Sequence, residues 1–346
     1  MSRAFRDLMN PDLLHIYVCP YTKEPILLEN GTYEGNSLRM GRLVSSSGMS
    51  FLIEDGIPVF CNPSKLGKME KKTRTEYDFV ADEFYDNAVD WQFASFYEDE
   101  DKVREGMIDL LKLEPESKVL EVGCGTGRDS IHIGRRLGPM GVFFLQDLSR
   151  RMVDKTRSNI DSCRSTGGLC CETHYFISDA LHLPFPDEFF DSVFHFGGFN
   201  TFSEPKKSFQ EFARITKRGG KVVVGDESLP PWLEGTPFGE IVCVNNPLFR
   251  NKVPLHAIPE CARDVAVRWV LGSCFYVIDF RVDEGTPPLN IDLPHKGRRG
   301  GTMRTRYYGQ LEGVSLDAKR MAQEAAAKQG LSLHDWLEQV IRKTAG

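Results

Sequence analysis

Three glycines and two carboxylates define the chemistry this chain is equipped for. Residues 118–128 read Lys-Val-Leu-Glu-Val-Gly-Cys-Gly-Thr-Gly-Arg, with Gly123, Gly125 and Gly127 alternating behind an apolar run. Glycines at a strand-to-helix turn permit positive φ and let a ligand approach the backbone closely. The helix that follows offers unpaired N–H groups to a polar ligand. Glu121 stands two residues before the first glycine, and Asp147 ends the next apolar run. In nucleotide-binding α/β folds an acid about 20 residues on takes the ribose hydroxyls, and Asp147 fits that place. A nucleoside-containing cofactor is therefore expected at this turn.

The dinucleotide fingerprint is G-x-G-x-x-G, whereas the spacing here is G-x-G-x-G. A pyrophosphate prefers N–H groups and no nearby carboxylate. S-adenosylmethionine has no phosphate and carries a positive sulfonium, so Glu121 and Asp147 suit it better than NAD. The segment VLEVGCGTGR resembles the first motif of the class I S-adenosylmethionine-dependent methyltransferases. The resemblance continues through QDLS (146–149), SDALHLPFPDEFFDSVFHFGGFN (178–200) and RITKRGGKVVVGDE (214–227). Four ordered motifs at family spacing make it specific.

Residue roles follow from that resemblance. Glu121 and the turn Gly123, Cys124, Gly125, Thr126 and Gly127 are expected to hold the methionine and ribose. Asp147 would accept the ribose hydroxyls, Leu148 and Met152 would sandwich adenine, and Asp179 with Ala180 would meet the adenine amino group. Phe196 and Gly197 would lie beside the methionyl group. The text after strand 4 resembles the ubiquinone/menaquinone C-methyltransferase branch, where Arg-Asn stands in place of Phe199-Asn200. The change removes a cation that could pair with a substrate oxygen. Phe194, Phe196, Phe199 and Phe202 then form an expected aromatic wall. Tyr77, Tyr85, Phe199, Asn200 and Trp232 are the candidate substrate-pocket residues, suited to a small, hydrophobic or aromatic acceptor. Candidate catalytic groups are Asp226, His182 and His195. The side chain of His195 is expected to alternate away from Phe194 and Phe196 and to pack on the sheet.

These residues need an α/β frame. Strands are expected near 118–123, 142–147, 173–177, 191–197 and 220–226, with helices between them, which implies a doubly wound, mostly parallel sheet. Two further β-like runs, Val265 to Leu271 and Phe275 to Val282, complete an expected seven strands. Residues 1–63 read as a small β-rich module, with Asn30-Gly31 as a hairpin turn. It resembles the zinc-ribbon-like family that includes the activator subunit of tRNA methyltransferases. Only Cys19 and Cys61 remain of its metal cysteines, so no metal is expected. Residues 64–117 read as a charged linker and a strongly aromatic helical lid, most of whose rings are expected to pack as core. The methyltransferase core, with an insert after strand 5, runs from 118 to 293. Residues 303–346 resemble a ribbon-helix-helix tail, with a strand-like run before two helices capped at Ser315 and Ser332.

Composition bounds the partners. At 346 residues the chain suggests about two domains. A hydrophobic content of 41% is ordinary for a globular protein. The net charge of -6 argues against general nucleic-acid binding, although Arg298, Arg299, Arg304 and Arg306 cluster near the tail. No run has the length of a membrane span, and the first residues lack a signal-peptide pattern. Nine cysteines, an odd number without repeated C-x-x-C spacing, suit reduced thiols in the cytoplasm. The expectation is a cytoplasmic methyltransferase acting on a small-molecule acceptor and dimerising through its tail. Two other readings stand beside it: an S-adenosylmethionine-sensing DNA-binding regulator, and an RNA methyltransferase.

Overall fold

The computed structural model describes residues 8–80, 84–297, 301–308 and 314–345. The N-terminal residues 1–7 and the arginines Arg298 and Arg299 lie outside the described residues. The chain divides into two compact units, Met1–Thr286 and Pro287–Gly346.

The first unit opens with a 3-10 turn at Pro11–Ile16. An antiparallel meander follows: β1 (Ile26–Glu34), β2 (Ser37–Ser45), β3 (Ser50–Glu54) and β4 (Ile57–Val59). Asn30-Gly31 is not the hairpin turn expected from its sequence. It lies inside β1, where the register slips between Glu29 and Thr32. The positive φ of Asn30 (55°) serves a β-bulge there, and the chain reverses at Gly35. Three helices follow: α1 (Lys68–Val80), α2 (Tyr85–Ser95) and α3 (Glu100–Ile108). The charged run expected as a linker is mostly helix α1. Phe93 is buried, but Phe79, Phe84, Trp91 and Tyr97 are exposed, against the expectation that most of these rings would be core.

Alternating strands and helices come next: β5 (Lys118–Val122), α4 (Arg128–Arg136), β6 (Val142–Asp147), α5 (Arg150–Ser165), β7 (Glu172–Ile177), β8 (Phe190–Phe196), α6 (Pro205–Ile215) and β9 (Thr216–Glu227). Helix α7 (Pro237–Asn245) lies in the insert, and β10 (Ala262–Val270) with β11 (Phe275–Val282) closes the unit. β5 and β6 are buried on both faces beyond their first residue, as parallel strands between helical layers must be.

The sheet has eleven strands, not the expected seven. Their order is β1-β2-β3-β4-β7-β6-β5-β8-β9-β11-β10. The expected seven are the segment from β7 to β10. The N-terminal meander adds four more at the β7 edge. Val59 pairs in parallel with Ile177, and the N–H of Phe60 donates to Ile177 O at 2.7 Å. An open β7 edge would leave backbone groups without partners, and β4 covers it. The junction is packed as well as paired: the Tyr17 ring lies 5.0 Å from Phe60 and 5.4 Å from Phe185, centroid to centroid. Chain order reverses where β5 lies between β6 and β8, so the carboxyl end of β5 is the switch point at which such sheets bind ligands.

The second unit contains α8 (Met303–Tyr308), α9 (Leu316–Lys328) and α10 (Leu333–Ala345). The strand-like run expected ahead of the tail helices is helical in its described part, Met303–Tyr308. Ser315 accepts from the Ala318 N–H, Ser332 accepts from the Asp335 N–H, and Gly330 ends α9 at φ 67°. Ala322 and Ala326 are buried, whereas Met321 is exposed, so the inner face is made of alanines. Among the described residues no helix is long and apolar enough to cross a membrane.

Candidate functional site

The glycine turn leaves β5 at Gly123 and enters α4 through Gly127, whose φ of 88° makes it a left-handed N-cap. The first two glycine N–H groups are already engaged. Gly123 donates to Gln146 Oε1 and Gly125 to Asp147 Oδ2, each at 3.0 Å. Asp147 Oδ1 also accepts from the Ser149 N–H at 2.8 Å. Burial pushes its carboxyl up to about 6, against the pull of those backbone donors. The Gln146 amide donates onward to Ser178 O, tying the ends of β5, β6 and β7 together.

A cleft of about 610 Å³ opens over these ends. Gly123, Gly125, Asp147, Leu148, Asp179 and Ala180 line it, together with Tyr77, Tyr85, His195, Gly197 and Phe202. A second cavity of about 1110 Å³ continues past Tyr77, Tyr85, Gly123, Gly197 and Gly198. There Cys124, Thr126, Phe196 and Glu227 join the wall. Two glycines admit the lid tyrosines. A Cβ on Gly125 would lie 3.3 Å from the Tyr85 hydroxyl, and one on Gly198 would lie 3.1 Å from that of Tyr77. Burial pushes both phenols up, so they stay protonated and are available as donors.

Ion pairs fasten the lid helices to the turn. Arg104 of α3 sits between Glu100 and Asp129, 2.6 Å from each. Arg128, next to the last glycine, pairs with Glu100 at 2.5 Å and reaches Asp86 and Asp90 of α2. The Thr126 hydroxyl donates to Asp86 at 2.7 Å.

His195 does alternate away from Phe194 and Phe196, yet it is not only a core residue. Its ring packs near Phe199 and Phe202 and also lines the cleft. Nδ1 lies 2.7 Å from Val122 O. A carbonyl only accepts, so Nδ1 carries the hydrogen and Nε2 is an unprotonated acceptor. Burial lowers the ring to about 4, which keeps it neutral. Nε2 is buried without a partner.

Other expected residues stand elsewhere. Glu121 is buried behind the turn, accepts from the Ser130 hydroxyl at 2.5 Å and does not line the cleft. Burial and the Asp129 charge push its carboxyl up. Met152 is fully buried in α5 and outside the lining. His182 lies beside Asp179, between the Tyr21 ring and Lys207, and not in the cleft wall. The oxygens of Asp226 are committed to the N–H groups of Gly198, Asn200 and Glu227. Asp226 thus holds the turn after β8. Its neighbour Glu227 is the acid that lines the cleft. Phe199 is buried against Phe202 and Phe209, 5.1 and 4.9 Å away, and so is core and not wall. The Asn200 amide donates to Glu227 O. Trp232 is exposed and stacks edge-on against Trp269. Sequence reasoning missed Glu70, Thr73, Gln146 and the Arg104–Arg128 network. The α1 residues were hidden by a run that reads as a charged linker.

Residues 120–224 match the family model for a methyltransferase domain. The ubiquinone/menaquinone biosynthesis C-methyltransferase of Vibrio campbellii is 30% identical over 127 residues, 36% of this chain and 46% of that protein. Its Ralstonia pickettii counterpart is 33% identical over 112 residues, 32% and 44% of the two chains. This chain thus spans about half the length of the curated relatives it matches. The solved complex of the Haloferax volcanii Trm112 methyltransferase activator with a methyltransferase covers 62% of this chain and 99% of that chain, at 17% identity and a TM-score of 0.43.

Proposed function

We propose that the chain transfers the methyl group of S-adenosylmethionine to a small, hydrophobic or aromatic acceptor by in-line displacement. One observation carries this reading. The N–H groups of Gly123 and Gly125 are occupied by Gln146 and Asp147, so the turn presents a carboxylate where a dinucleotide site would present free donors. That fits a sulfonium nucleoside and not a pyrophosphate. S-adenosylmethionine supplies an electrophilic methyl group when bound. Asp147 would take the ribose hydroxyls, with Leu148, Asp179 and Ala180 around the base. Tyr77 and Tyr85 on the lid would exclude water and fix the acceptor's approach. Asp226 contributes by fixing the turn after β8.

On this reading the chain works with reduced thiols in the cytoplasm, as its nine free cysteines suit. It pairs with a second copy through residues 303–346. Calorimetric titration with S-adenosylmethionine and with NAD tests the cofactor. Micromolar-to-millimolar binding of the first and none of the second is expected. Absence of binding, or unaltered binding in Asp147→Ala, would overturn the reading.

A further inference from the structure

A groove of about 710 Å³ lies between helix α3 and the β10–β11 hairpin. None of the described residues that line it lines the smaller cleft, and only Leu271 is shared with the larger cavity. Val103 of α3, Leu110 in the turn after it and Val270 of β10 form apolar walls that are only half-buried. Met107 and Leu271 close the base, at 1% and 2% exposure.

Helix α3 leaves this groove open by its own sequence. Gly106 lies inside the helix, is exposed and lines the groove. A Cβ built on it would meet nothing within 4 Å. Glycine inside a helix costs stability and is normally kept for a close approach or a positive φ. Neither applies to Gly106, and what its missing side chain leaves is room.

The charges around the groove favour an anion. The Lys102 ammonium at its rim enters no ion pair among the described residues. Arg268, on the β10 side, pairs with Asp279, whose other oxygen is taken by Lys221 at 2.7 Å. Two cations share one carboxylate there. Glu98, the acid of the lining, accepts from the Gly272 N–H at 3.5 Å. It offsets one cation, and a surplus of positive charge remains. Asp101 and Glu105 of the same helix lie against His132, 3.2 and 3.8 Å away, and are not part of the lining. An apolar trough with a cationic rim suits a ligand with an apolar body and an anionic head.

We infer that this groove is a second binding site, for a small amphiphilic carboxylate. The alkyl body lies along Val103, Leu110 and Val270, and the carboxylate meets Lys102 and Arg268. The site goes beyond the methyl-transfer reading and does not depend on it.

The test uses the full chain with carbon-13 at its methionine methyl groups. Met107 reports the groove, and its resonance is assigned by its loss in Met107→Leu. Octanoate, octanol and octylammonium are titrated in turn. Octanoate should shift the Met107 resonance at low millimolar concentration. Octanol should bind about tenfold more weakly, the scale of two exposed ion pairs, and octylammonium not detectably. Gly106→Leu fills the groove from within. It should keep or raise the melting temperature and abolish the octanoate response. Lys102→Gln should weaken octanoate about threefold and leave octanol unchanged. No Met107 shift, equal binding of octanoate and either other probe, or an undiminished octanoate response in Gly106→Leu overturns the inference. Displacement of S-adenosylhomocysteine by octanoate also overturns it, because the probe would then occupy the cofactor cavity. Should Gly106→Leu melt early, Lys102→Gln and the three-probe comparison still decide. If the chain fails to bind S-adenosylhomocysteine, the methyl-transfer reading falls, and the Met107 response judges the groove separately.

Discussion

Asp147 must be ionised to accept two hydroxyl donors, and burial holds its carboxyl near 6, within reach of ordinary buffers. Binding of a ribose would favour the charged form and lower that value. Affinity for S-adenosylmethionine should therefore be flat above about pH 7 and fall up to about tenfold per pH unit below about 6. Calorimetry across that range checks it, and pH-independent affinity would remove Asp147 from the ligand's contacts. Glu121 differs in kind. Its folded carboxyl lies well above the ordinary range, so its contribution to stability is present at low pH and is lost as pH rises through the raised value. At neutral pH an ionised Glu121 is a cost. Glu121→Gln keeps an acceptor for Ser130 and should leave the melting temperature unchanged or higher, with cofactor affinity intact. A marked loss of affinity would show that Glu121 touches the ligand directly. The glycines, Asp147 and Asp179 were legible as site residues because their spacing is tied to strand ends. His195 was less so, since an acceptor without a partner is a property of surroundings and not of residue type.

At the scale of elements, the lid is bound to the glycine turn by charge. Arg104 is buried between Glu100 and Asp129, and Arg104→Met would leave the Asp129 carboxylate without its counter-charge. Breaking a buried pair in this way costs about 3–5 kcal/mol. Denaturant unfolding should show a lower midpoint at unchanged slope, together with weaker cofactor binding as α2 and α3 loosen. An unchanged midpoint would mean the network is solvated and adds little. The strands β5 to β9 could be read from apolar runs because parallel strands are buried on both faces. The lid could not be read as well. Its rings suggested core, yet Phe79, Phe84, Trp91 and Tyr97 are exposed, and Trp91 lines the larger cavity together with Tyr77, Tyr85 and Phe93.

At the scale of the molecule, one sheet of eleven strands runs through the first unit. Phe60, at the β4–β7 junction, is 1% exposed among Tyr17, Phe51 and Phe176. Phe60→Ala should destabilise by about 3–5 kcal/mol. It should shift a single unfolding transition and not split it, since meander and core share one packed interior. A separate early transition would show that residues 1–63 fold independently. Removal of Pro287–Gly346 should leave cofactor affinity unchanged, because among the described residues all those lining the cleft precede Pro287. Sizing of the full and shortened chains should show a dimer becoming a monomer, and equal oligomeric states would refute dimerisation through the tail.

The sequence by itself determined the glycine turn and the strand ends that meet around it, because glycine φ, carboxylate charge and strand-to-helix spacing are local properties. Only the tertiary structure decided that four more strands cover the β7 edge. It alone showed that Phe199 is core while His195 reaches the cleft, and that Asp226 holds a turn while Glu227 faces the cavity. Those outcomes depend on which surfaces meet across long sequence separations, and no local pattern encodes which neighbour leaves a polar atom without a partner.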